Sequence, residues 1–119
     1  MPFDYERFSK IASEVYSEGA SPYSLQEVLD VFTYFFKKYE AETGLPHPPL
    51  KRAQMQHIIR LMPYIDKEHT SGFSGDIDAE SYPALIDAYF HTRFKNCNYR
   101  INHFFSGQIR KIKFYETCY

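Results

Sequence analysis

The stretch SPYSLQEVLDVFTYFFKKYEAETG, residues 21–44, decides the fold. Its apolar residues Leu25, Val28, Leu29, Phe32, Phe35, Phe36 and Tyr39 recur at steps of three and four, which places them on one arc of a helix. Ser24 followed three residues later by Glu27 forms a capping-box pattern at the start, and Gly44 supplies a stop. The spacing therefore predicts a long amphipathic helix with its apolar arc turned inward, the central element of the molecule. No segment of the chain carries a competing period of two, so the expected fold class is all-α.

Upstream, DYERFSKIASEVYSEG (4–19) repeats the pattern on Tyr5, Phe8, Ile11, Ala12, Val15 and Tyr16, with Asp4 as cap and Gly19 as stop. Downstream, LPHPPL (45–50) holds three prolines, which a helix interior does not accept, and reads as a stiff connector fixing the angle between two helices. KRAQMQHIIRLM (51–62) predicts a third helix on Met55, Ile58, Ile59 and Met62, ended by Pro63, with Lys51, Arg52, Gln56 and Arg60 on its polar side. DKEHTSGFSGDIDAES (66–81) is loop-like. It fails as a calcium loop, because Ser71 and Ile77 stand where the sixth-position glycine and twelfth-position glutamate belong. Asp76, Asp78 and Glu80 instead suit the positive start of a fourth helix, expected from Tyr82 to Phe94 with Pro83 in its first turn and Leu85, Ile86, Tyr89 and Phe90 inward. KNCNY (95–99) reads as a polar turn and INHFF (101–105) as a turn packed on the core. From Ser106 a last helix is expected, with Phe105, Ile109, Ile112, Tyr115 and Tyr119 on one side. The sum is a single domain, residues 1–119, of about five helices.

The bulk composition narrows the function classes. A chain of 119 residues, 44% hydrophobic, buries one core. Its apolar runs are too short to cross a bilayer, and acidic residues near the start do not suit a signal peptide, so no membrane partner and a cytoplasmic setting are expected. Cys97 and Cys118 are expected as free thiols. The 11 Tyr and 11 Phe, with no Trp, predict a core built from few large pieces. The net charge of -1 conceals an asymmetry: residues 1–50 carry four basic against eight acidic side chains, whereas residues 90–119 carry six basic side chains against Glu116 alone.

Catalytic and metal patterns are thin. His47, His57, His69, His91 and His103 lack the three- or four-residue spacing that sets two imidazoles on one helix face. Cys97, His103 and Cys118 form the one zinc combination that folding could assemble, and Cys97 with His91 or His103 the one nucleophilic pair. Asp66, Glu68, Asp76, Asp78 and Glu80 read as solvated, and neither a phosphate-binding glycine loop nor a dinucleotide fingerprint is present. The expectation is a protein that is not an enzyme and has no cofactor, catalytic residue or metal ligand. The outer side of the last helix offers the better site. Arg110, Lys111 and Lys113 with Phe114 among them, Arg100 nearby, and the helix start at Ser106 and Gly107 together suit phosphates and a stacked base. Charged solvent faces are common, and cations late in a helix suit its dipole in any case. The expected function is a binding module for nucleic acid or an acidic protein. The alternative is a protein interaction or assembly module using Tyr34 and the LPHPPL connector as contacts, with a homodimer drawing on the surplus rings.

YPALIDAYFHTRFKN (82–96) followed by CNYRINHFFSGQIRKIKFYE (97–116) resembles a segment of small helical proteins from bacterial plasmids and phages, some near replication genes. The resemblance covers roughly the C-terminal third. It implies a helical mobile-element protein acting near DNA, and it transfers no catalytic residue.

Overall fold

The computed structural model of the chain describes residues 3–17, 22–62, 78–92 and 98–105. Five α-helices occur among the described residues, and no strand does: α1 (Tyr5–Ser17), α2 (Leu25–Thr43), α3 (Arg52–Leu61), α4 (Tyr82–His91) and the single turn α5 (Ile101–Phe104). The fold is all-α.

Helix α2 forms as its sequence dictates. Ser24 Oγ accepts the Glu27 N–H at 3.1 Å while Glu27 Oε1 accepts the Ser24 N–H at 2.8 Å, closing the capping box. At the other end Gly44 turns left-handed (φ 76°) and donates its N–H to Glu40 O at 2.8 Å. The buried arc is Val28, Val31, Phe32, Phe35, Phe36 and Tyr39, so Val31 joins the expected stripe, and Leu25 and Leu29 mark its half-buried edge. Helix α1 starts where Asp4 Oδ1 accepts the Arg7 N–H at 3.0 Å, and it buries Phe8, Ala12 and Val15. Phe8 meets Phe32 and Phe36 edge-on, with ring centroids 5.0 and 5.1 Å apart.

Helix α3 packs on α1 and buries Met55, Ile58, Ile59 and Leu61, with Met62 following. Arg52 pairs with Glu14 across that contact at 3.0 Å, but both side chains are half exposed and the pair adds little. A 3-10 turn, Ala79–Ser81, feeds α4, which carries Pro83 in its first turn as expected and lies against α2. Helix α4 stops at His91, short of the expected Phe94. There Thr92 leaves the helix with extended backbone angles (φ -95°, ψ 135°), its N–H donating to Tyr89 O at 3.2 Å and its Oγ1 to Ala88 O at 2.8 Å.

Tyrosine hydroxyls join the elements from within the core. Tyr82 donates to Met62 O, Tyr99 to Thr92 O and Tyr34 to Asp87 Oδ1, each at 2.7 Å, and Tyr89 OH meets His103 Nδ1 at 2.7 Å. Lys38 adds a contact to Asp87 at 3.7 Å and one to Glu42 at 3.3 Å. Ile101, Phe104 and Phe105 are buried, so INHFF packs on the core as expected, in part as helix. The loop around Phe73, Cys97 and the expected last helix from Ser106 lie outside the described residues. Among the described residues no helix is long and apolar enough to cross a membrane.

Candidate anion-binding cleft

The site grows from the connector. Proline rings stiffen residues 46–49 in extended form, and between them the chain turns one polar side chain inward: His47 is only 3% exposed. Its ring lies 4.8 Å from both Phe36 and Tyr39. Both nitrogens are engaged, for His47 Nδ1 lies 2.7 Å from Pro48 O and Nε2 lies 3.0 Å from the Ile101 backbone N. A backbone N–H can only donate and a carbonyl can only accept, so the proton sits on Nδ1 and the ring is neutral. Burial pushes the His47 pKa down to about 4; the Pro48 carbonyl works against that shift and the nearby Arg100 charge adds to it.

Through that bond the connector is pinned to the segment around Arg100. There Tyr99 adopts φ 56°, a left-handed conformation rare for a bulky residue. It is held by the hydroxyl bond to Thr92 O and by rings of Tyr89 and Phe90 at 5.4 and 5.9 Å. The turn brings its two neighbours, Asn98 and Arg100, onto one cleft.

That cleft has a volume of about 320 Å³ and is lined by the His47–Leu50 connector, by Gln54 from the start of α3, and by Asn98, Arg100, Asn102 and His103. None of these lining residues is acidic. Gln54 Oε1 already accepts the Lys51 N–H at 2.9 Å, and Asn98 Oδ1 accepts the Arg100 N–H at 3.1 Å. The ends of those two amides left over are therefore NH₂ donors. The ion pairs among the described residues involve Lys38 and Arg52, and none involves Arg100, which is exposed. A cation beside donor groups, with no carboxylate among the described lining, is an arrangement for an anionic, acceptor-rich ligand.

Of the residues expected to bind an anion, only Arg100 is described; Ser106, Gly107, Arg110, Lys111, Lys113 and Phe114 lie outside the described residues. The partners around Arg100 were not legible as a site. Gln54 reads as a polar helix position and Asn98 and Asn102 as turn residues, and they converge only because His47 ties the connector to Ile101 across 54 residues. The two histidines considered as partners of Cys97 have other engagements: His91 Nδ1 contacts Asp87 O and His103 Nδ1 contacts Tyr89 OH. Among the described residues no group of three His, Cys, Asp or Glu side chains could hold a metal ion.

Two further hollows flank the molecule. On the other face of the connector, Phe3, Phe8, Ile11, Leu50 and Met55 line an apolar cleft of about 520 Å³, with Arg7 and Asp4 also on its lining. Leu45, next to it in sequence, is 63% exposed, the one large hydrophobic side chain so exposed among the described residues. Glu27, Asp30 and Glu80 border the other hollow, beside Tyr34. Tyr34 is not the open contact that its place on the polar side of α2 suggested, since it is half-buried and its hydroxyl is bonded to Asp87. That bond first, then burial and the Asp87 charge, hold its pKa above the ordinary phenol value.

Comparison of the chain with protein-family models, with curated proteins and with solved structures gives no match.

Proposed function

We propose that the protein is a non-enzymatic binding module for nucleic acid, engaging phosphates through Arg100 and the basic run that follows it. The observation that carries this reading is the cleft at Arg100, where a guanidinium without a carboxylate partner among the described residues shares the lining with the amides of Gln54 and Asn98, whose oxygens are already bonded. In sequence, Arg110, Lys111 and Lys113 follow within a short run with Phe114, so the same end of the chain adds cations and a ring. The resemblance of residues 82–116 to plasmid and phage proteins points the same way, towards a mobile-element protein that works in the cytoplasm near DNA.

Fluorescence anisotropy with labelled oligonucleotides tests it. Four phosphate contacts give a log–log salt slope of roughly -3, and the double reversal Arg110→Glu, Lys111→Glu weakens binding at every sequence tested. No binding to single- or double-stranded oligonucleotides at low salt refutes the reading.

A second reading is a homodimer or other protein assembly built on the connector. The exposed Leu45 and the neighbouring apolar cleft favour it. Light scattering separates the two: an assembly of this kind persists at high salt and is lost in Leu45→Asp.

A further inference from the structure

A cleft of about 320 Å³ gives more room than a phosphate group needs and falls at the small end of ligand sites, about 300–1,000 Å³. Its lining combines three kinds of group. Arg100 is a charge for a phosphate, the NH₂ ends of Gln54 and Asn98 are donors for carbonyl oxygens and ring nitrogens, and Pro48 and Pro49 are flat apolar surfaces. A nucleotide carries the matching groups: an anion and a planar base with acceptors on its edge. In a duplex that base is stacked and paired, and only the phosphates face outward. In a single strand the base is free to turn into a hollow. The His47 ring, bonded to the Ile101 N–H, ties the connector to the segment that carries Arg100 and Asn102.

We propose that this cleft takes one unstacked nucleotide, with its phosphate on Arg100, its base against Pro48 and Pro49 and its acceptors on Gln54 and Asn98, so that the protein selects single-stranded over double-stranded nucleic acid. The proposal rests on the nucleic-acid reading above and specifies its substrate. A duplex still meets the cations but leaves the cleft empty.

The test compares a labelled mixed-sequence single strand of about 24 nucleotides, without self-complementarity, with its fully paired GC-rich duplex, which stays paired at the salt used, in anisotropy titrations of the full chain at low salt. One seated base makes the single strand about tenfold tighter than the duplex. Asn102→Leu, an exposed position on the cleft, narrows the hollow and puts an apolar group on its wall without changing charge; it reduces that difference and leaves duplex binding as it was. Arg100→Gln weakens both forms, the single strand more. Equal affinity for the two forms, or Asn102→Leu with wild-type melting temperature and undiminished preference, overturns the proposal and leaves nucleic-acid binding standing. Absence of binding to either form overturns the reading beneath it as well.

Discussion

His47 sits in a run of prolines with both ring nitrogens committed, and that position makes it sensitive to acid. Its folded pKa, about 4, lies below its ordinary 6.5, so the folded state resists the proton. Stability from this group is complete above pH 6.5, falls as pH drops towards 4, and changes no further below that; the difference amounts to about 3 kcal/mol. Melting curves from pH 7 to pH 4 therefore decline, and His47→Leu declines less steeply. The variant also starts lower at pH 7, because the Ile101 N–H loses its acceptor. A second residue-scale prediction concerns Tyr82, fully buried with its hydroxyl on Met62 O. Tyr82→Phe keeps the ring and strands that carbonyl, so chemical denaturation registers a loss of about 1–2 kcal/mol.

At the scale of single elements, α2 rests on its two ends. Ser24→Ala removes an acceptor from the capping box and lowers stability by about 1 kcal/mol. Gly44→Ala places a side chain at φ 76° and costs a similar amount, although open space surrounds the new methyl, so the penalty lies in the backbone alone. Urea titrations that find either substitution neutral contradict this account. These ends were readable beforehand because caps, stops and helical period are short-range properties of Ser24, Glu27, Phe32, Phe36 and Gly44. The end of α4 was not readable. A run from Tyr82 to Phe94 satisfies the period, and the change to extended backbone at Thr92 leaves no mark in it. The cleft was invisible for a stronger reason. Gln54, Asn98, Arg100 and His47 belong to three segments, and their meeting depends on one long-range bond and on the left-handed Tyr99. LPHPPL announced a stiff spacer; nothing in its residue order announced that its histidine would face the core.

Over the whole molecule, rings do the joining. Phe35 is completely buried and meets His47, Tyr89, Phe90 and Phe104, at centroid distances of 5.3 to 6.0 Å. It therefore links the connector, α4 and α5 to α2. Phe35→Ala costs about 3–5 kcal/mol, a large share of what a domain of this size has, and a steep fall in melting temperature is expected. The bond between His47 Nε2 and the Ile101 N–H has a spectroscopic consequence. Almost every backbone hydrogen bond ends on oxygen, whose common isotope has no nuclear spin. This one ends on nitrogen, so in uniformly ¹⁵N-labelled protein two spin-active nuclei face each other across the proton. A through-bond correlation between the Ile101 amide and the His47 ring reports directly, in solution, whether the connector is seated. Its disappearance on acidification, or its shift as an oligonucleotide is added, follows at a single peak what happens to the wall of the cleft.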